Sequence, residues 1–344
     1  MSNLFREKEI QILNLIVENY LKIGRPISSG LIAQKSNFKV SSATVRNIMA
    51  KLERHGFLFQ PHTSAGRVPT DKGLRFYVNN LLEELALSET SLEYPEKNFQ
   101  LEKNDINSLL SGASKILSDY SDNIGFVIPP KISKVNFRHL RFIKISENKV
   151  MIILITFSNF VLTEIVETGN YFTQAELDKA SQYMNESFRG KNLLYARNYL
   201  LQELPRYKVK YESLLNKLIS LLKSYIYQEE HDSRIFLQGI SKLIQKPEFF
   251  QMEILKSLLE KFEQKAKLTK LLSDFITLDK VKVLIGSELE IPEITDCSLV
   301  LSHYGDQSQI FGSLGIIGPK RIPYRKIISL VDLVAKRLSQ TISY

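Results

Sequence analysis

The first seventy residues are punctuated so closely that few folds can accommodate them. Ile10, Leu13, Val17 and Tyr20 recur at helical spacing over residues 6–23, and Gly24 follows as a C-terminal cap. A short link, Arg25-Pro26-Ile27, leads to Ser28 and Ser29, either of which can cap a second helix over 30–36. Residues 37–40 form a tight connection. Ser41 and Ser42 then cap a third helix that runs to His55 and stops at Gly56. Phe57-Leu58-Phe59, a turn-rich stretch in which Gly66 can take a positive φ, and Val68-Pro69 predict a short hairpin. Thr70 caps a fourth helix whose stripe is Leu74, Val78, Leu81 and Leu85. Helix, short helix, turn, helix and hairpin, in that order, predict a winged helix-turn-helix over residues 1–88.

In the third helix Val45, Ile48, Met49 and Leu52 fall on one face, and Ser42, Thr44, Arg46, Asn47 and Lys51 on the other. Such an outer face suits the major groove of B-DNA, where Arg46 can donate in bidentate fashion to guanine and Asn47 can pair with adenine. Ser41, Ser42 and Thr44 sit at the helix N-terminus, where the dipole favours a phosphate. His62, Thr63, Ser64 and Arg67 occupy the wing, within reach of a neighbouring groove or the backbone. Charge agrees with this. The chain carries +9 overall, yet residues 1–80 hold 12 Lys/Arg against 5 Asp/Glu, while 81–344 hold 34 against 32. A basic module on a near-neutral body points to a polyanion, nucleic acid before membrane.

The body is large enough for several cores, since the chain has 344 residues of which 44% are hydrophobic. Residues 89–104, with helix-breaking Pro95 and several glutamates, read as a linker. A helix over 105–120 and a strand over 124–128 follow. Three runs, 140–145, 150–157 and 160–166, are joined by tight turns and predict an antiparallel meander. Its middle strand is apolar on both sides and is expected to be covered on both. Helices are expected over 173–227, broken by Gly190 and Pro205, then over 248–262 and 324–338, with strands at 282–285, 299–303 and 312–317.

Several chemical classes are excluded. One cysteine, Cys297, rules out a disulfide framework and a multi-cysteine zinc site. His55 and His62 have no cysteine partner, and His139, His231 and His303 are isolated, so no metal is expected. Gly312, Gly315 and Gly318 match neither G-x-G-x-x-G nor a P-loop and read as a glycine-bearing strand. No nucleophile, paired acid or cofactor motif is assembled, which argues against an enzyme. The first residues lack the apolar core of a secretory leader, and the longest apolar run is far too short for a bilayer, so a cytoplasmic, non-membrane protein is expected.

The run SSATVRNIMAKLERHGFLFQPHTSAGRVPTDKGLRFY, 41–77, resembles the N-terminal signature of the HrcA family, bacterial heat-inducible transcription repressors. PHTSAGRVPT, 61–70, is the most specific part. GSLGIIGPKRIPY, 312–324, is similar to the family's closing segment, where methionine is commoner than Ile322, and Leu284-Ile285-Gly286-Ser287-Glu288 fits as well. The resemblance implies an α+β chain of three parts. These are the winged helix-turn-helix, a discontinuous GAF-like α/β domain over 105–137 and 226–344, and an inserted dimerisation domain over 138–225, an antiparallel sheet flanked by helices. It further implies a homodimer that binds an inverted-repeat operator in double-stranded DNA upstream of chaperone operons, is released on heat stress, and depends on the GroEL chaperonin. The alternative is a winged-helix regulator controlled by a small effector held in the GAF-like domain.

Overall fold

Three helices and a hairpin open the computed structural model, which describes residues 6–36, 40–87, 105–157, 160–203, 209–231, 234–244, 281–289, 295–305 and 310–343. Most of the 37–40 connection, the 89–104 linker, the Ser158-Asn159 turn, Pro205 and the helix expected over 248–262 lie outside the described residues. Helix α1 (Glu7–Ile23) ends where Gly24, at φ 72°, donates its N–H to the Tyr20 carbonyl. Ser28 caps α2 (Ser29–Lys35) by accepting from the Leu31 N–H. After α3 (Ser42–Arg54) come β1 (Leu58–Phe59), β2 (Val68–Pro69) and α4 (Asp71–Leu87). Gly66 departs from expectation, because it is absent from the glycines with positive φ. Its role is close approach: a Cβ there would strike the backbone of Ile27, which exchanges two hydrogen bonds with Arg67 and clips the hairpin to the link before α2.

The body begins at α5 (Ile106–Ser121), capped by the Asp105 carboxylate, and β3 (Ile124–Ile128), which Pro129-Pro130 stop. The chain continues with β4 (Phe137–Lys144), β5 (Lys149–Thr156), β6 (Val161–Glu167), α6 (Gln174–Phe188), α7 (Leu193–Glu203) and α8 (Val209–His231). The chain then returns to the body with β7 (Phe236–Gln238), α9 (Ile240–Ile244), β8 (Lys282–Ile285), β9 (Cys297–Gly305), β10 (Ile310–Pro319) and α10 (Tyr324–Ser343).

The body sheet has the order β7-β3-β10-β9-β8, antiparallel throughout, so a strand made before the insertion lies between two made after it. Helix α8 runs to His231, a few residues past the expected helix end at 227, and the body sheet gains its edge strand at Phe236. The glycines of β10 are packing residues. A Cβ at Gly315 would strike the Val300 carbonyl and the Phe126 ring, and one at Gly318 would strike Asn123.

Among the described residues, the second sheet, β4-β5-β6, is fully buried on one face only, a correction to the expected two-sided burial. Leu140, Phe142, Val150, Ile152, Leu154, Leu162 and Val166 are buried. The other face presents three cross-strand rows: His139–Ile155–Val161, Arg141–Ile153–Thr163 and Ile143–Met151–Ile165. The residues of β5 in those rows are half-buried, while Val161 and Ile165 are exposed. Both sheet edges carry side-chain stoppers. Asn185, Ser181 and Gln174 of α6 accept from the Leu140, Phe142 and Lys144 N–H groups at 2.8, 2.9 and 2.8 Å. Gln228 of α8 donates to the Ile165 carbonyl at 3.0 Å and accepts from the Glu167 N–H. Edges so occupied are blunted as templates for another strand.

Candidate nucleic-acid interface

Helix α3 is defined at both ends by its own sequence. The Ser41 hydroxyl accepts from the Thr44 N–H at 3.1 Å and shares a second hydrogen bond with the Thr44 hydroxyl. At the other end Gly56, at φ 74°, donates to the Glu53 carbonyl, and Phe57 donates to that of Leu52. That is a Schellman closure, and its apolar partners Leu52 and Phe57 are both buried. Val45, Met49 and Leu52 point into the module core. Ser41, Ser42, Thr44, Arg46 and Asn47 are exposed, which makes one continuous polar surface over the first turns.

The hairpin is anchored to the same helix. The Thr70 hydroxyl donates to the Gly56 carbonyl at 2.6 Å, and the Gln60 side-chain amide donates to the Thr63 and Ala65 carbonyls, which holds the turn in shape. His62, Thr63 and Ser64 are exposed at its tip.

Two further candidate residues are engaged inside the module. The Lys51 ammonium lies 2.9 Å from both Glu9 carboxylate oxygens. Burial by itself would raise the Glu9 carboxyl, but the Lys51 ammonium and the Arg6 N–H outweigh it and hold it below the ordinary carboxylate range. Arg67 is bound through Nε to Glu53 Oε2 at 2.9 Å. These pairs brace α1, α3 and the hairpin against one another. Arg54, exposed on the last turn of α3, escapes the sequence reading; its position on the outward side of the third helix is the available signal.

Among the described residues, the remaining chemistry-bearing groups of the body do not assemble into a site. Cys297 is fully buried, and burial pushes its thiol up to about 12, which makes it inert as a nucleophile. Among the described residues no group of His, Cys, Asp and Glu could hold a metal ion. Likewise, no described helix is long and apolar enough to cross a membrane. A cleft of about 100 Å³ opens between the end of β3, α5, β6 and α8, lined among others by Leu110, Ile132, Leu162, Glu164 and Arg234. It is smaller than the roughly 300–1,000 Å³ of typical small-molecule sites.

The family model for the C-terminal domain of HrcA matches residues 107–328. The heat-inducible transcription repressor HrcA of Syntrophobacter fumaroxidans is 33% identical over 99% of this chain and 98% of its own length. That of Carboxydothermus hydrogenoformans is 34% identical over 98% of both. The chain belongs to the HrcA family. HrcA proteins are named as heat-inducible transcription repressors, so this chain is a regulator and not an enzyme. The HrcA match opens in the first turn of α5 and closes in α10, and therefore takes in both sheets. The full-length HrcA relatives extend the likeness to the N-terminal module. A crystal structure of a hypothetical protein at 2.2 Å resolution has the same fold, with a TM-score of 0.67 over 98% of this chain and 99% of that one at 23% identity.

Proposed function

We propose that the chain is a dimeric, DNA-binding repressor of chaperone operons. Its N-terminal module acts as a winged helix-turn-helix, with α3 as the reading helix and the β1–β2 hairpin as the wing. The observation that carries this reading is the outward surface of α3, where Ser42, Thr44, Arg46 and Asn47 are exposed on a helix whose opposite side is locked into the core. Arg46 and Asn47 read bases, Ser41, Ser42 and Thr44 hold phosphate at the helix N-terminus, and His62, Thr63 and Ser64 approach the flanking groove. Lys51 and Arg67 contribute mainly by bracing the module, with their charges shared with Glu9 and Glu53.

One such module reads only a short half-site, so an inverted repeat needs two on a two-fold axis. The second copy seats on the open face of the β4-β5-β6 sheet. Among the described residues, nine of the eleven exposed large hydrophobic ones lie between Ile145 and Tyr227, in the inserted unit, which supports a dimerisation role for it. Because both edges of that sheet are stoppered, the copies meet face to face. The rest of the body, in which β3 pairs with strands more than a hundred residues later, is the GAF-like domain. Its non-local pairing makes for slow folding and transient apolar exposure, a physical basis for dependence on the GroEL chaperonin in the cytoplasm.

Gel-shift titration on DNA upstream of the organism's chaperone operons tests the first claim. A complex at least a hundredfold tighter than on random DNA supports it, and equal affinity refutes it. Refolding from denaturant with and without the chaperonin, scored by operator binding, tests the second. Equal recovery at growth and stress temperatures would remove the chaperonin from the account.

A further inference from the structure

The segments 71–77, 284–288 and 320–325, distinctive in sequence but distant along it, meet at the junction between module and body. Arg75 of α4 donates through Nε to Glu288 Oε1 at 2.6 Å, and its second nitrogen reaches both Glu288 and, at 2.7 Å, the Val283 carbonyl. The same carboxylate accepts the Ile285 N–H at 2.9 Å, so Glu288 is fixed before it meets the arginine. Asp71 pairs with Lys320 at 2.7 Å. Gly286, at φ 57°, lies so close that any Cβ would strike the Asp71 carboxylate. Glu84, near the far end of α4, pairs with Arg325 at 2.6 Å. The apolar core of the module also continues without a break into that of the body.

The spacing of these contacts matters. Asp71 and Glu84 are thirteen residues apart, about 20 Å along a helix at 1.5 Å per residue. A helix held at both ends of such a span can neither pivot nor roll on its support. Meanwhile the docked module keeps the outward face of α3 and the hairpin tip exposed, so the docking does not mask the reading surface.

We propose that Asp71, Arg75 and Glu84 are positioning residues for DNA reading. They touch no base; they fix the module on the body and thereby set the half-site spacing and helical phase that a dimer accepts. This inference rests on the reading of the chain as a dimeric repressor. Half-sites read by a two-fold dimer must be separated by one helical turn or a multiple of it, so selectivity for spacing demands a stiff junction. With a loose junction the second module would bind as a tethered ligand, at an effective concentration that tolerates many spacings.

Two measurements on the full-length chain test this. The first titrates a series of inverted repeats, with spacers altered one base pair at a time, and a single half-site. Wild type should prefer one spacing and lose about tenfold or more half a helical turn away. Arg75→Glu should bind the half-site as wild type does but weaken on the best repeat by about tenfold, with a flat spacing profile. The charge swap Arg75→Glu with Glu288→Arg should restore the preference. Glu84→Arg, at a more exposed pair, should act in the same direction without endangering the fold. A preserved spacing profile in Arg75→Glu and Glu84→Arg, or tighter operator binding by either, would overturn the proposal.

The second measurement needs no DNA. Spin labels on Lys8→Cys and Gln340→Cys should report a narrow distance distribution in wild type, a broad one in Arg75→Glu, and a narrow one again in the swap. A distribution equally narrow in Arg75→Glu would overturn the clamp. If wild type shows the narrow distribution but no preference for a repeat over a half-site, the dimeric-repressor reading fails and the positioning role with it, while the clamp itself stands.

Discussion

Lysine in place of Ile153 should separate the two copies while each stays folded. Ile153 occupies the middle row of the open sheet face, between Arg141 and Thr163, and is already half-buried in the single chain. Burying an isoleucine side chain completely contributes about 1.5–3 kcal/mol. Roughly half of that, about 0.7–1.5 kcal/mol, is left to be gained on association, and a two-fold interface counts it once per copy. Losing it twice costs about 1.5–3 kcal/mol, or roughly a 10- to 150-fold rise in the dimer dissociation constant. Two ammonium groups driven towards an apolar surface add to that loss. Sedimentation velocity over a concentration series reads the constant, and far-UV circular dichroism checks the fold. An unchanged dimer constant in a folded Ile153→Lys chain would place the interface elsewhere.

Other substitutions and conditions probe the module, the inserted unit and the DNA surface in turn. Gly66→Ala should destabilise the module by about 1–3 kcal/mol, since the new methyl must displace the Ile27 backbone; thermal melting of the full chain checks it, and an unchanged melt would show that the clip yields freely. The Lys217 hydrogen bond and the Thr173 cap, with burial opposing them, lower the Glu176 carboxyl from 4.5 to about 2. Its folded value lies below its unfolded value, so its stabilisation is present above about pH 4.5 and is lost as pH falls toward 2. Discounted for solvent screening that is about 1 kcal/mol, which Glu176→Gln should remove at pH 7 but not at pH 2, as denaturant titrations at both would reveal. Operator binding should weaken steeply with salt: three phosphates neutralised per module, six per dimer, give a log–log slope of about −5, and a flat dependence would contradict the basic-module reading.

Much of this fold is legible in the sequence because its boundaries are set by local chemistry. Gly24 and Gly56 close their helices in the left-handed conformation, Ser28 and Ser41 cap theirs, and Pro129-Pro130 stop β3. The antiparallel order of the meander follows from the short links between its three strands. The features that escape sequence reading depend on tertiary packing. Gly66 reads as a turn residue, whereas its constraint is the backbone of Ile27, about forty residues earlier. The apolar outer side of β5 reads as buried, because an apolar run in a sequence does not say whether a helix of the same chain covers it. The short strand β7 and helix α9 carry too few residues for a periodic signal. In the candidate interface, the outward direction of Ser42, Thr44, Arg46 and Asn47 is legible from helical period. The engagement of Lys51 by Glu9 is not, since the partners are 42 residues apart.

Helix α3 is proposed to read bases for a two-fold repressor. Fluorescence anisotropy on one inverted-repeat operator and one random duplex, for wild type, Arg46→Ala and Asn47→Ala, tests it most directly. Two chains should bind each operator. Each substitution should weaken the operator complex by about 1–3 kcal/mol at each half-site, while random DNA is bound almost as before. Equal weakening on both duplexes would move these residues to the phosphates. Unchanged affinity on both would contradict the assignment of α3 as the reading helix.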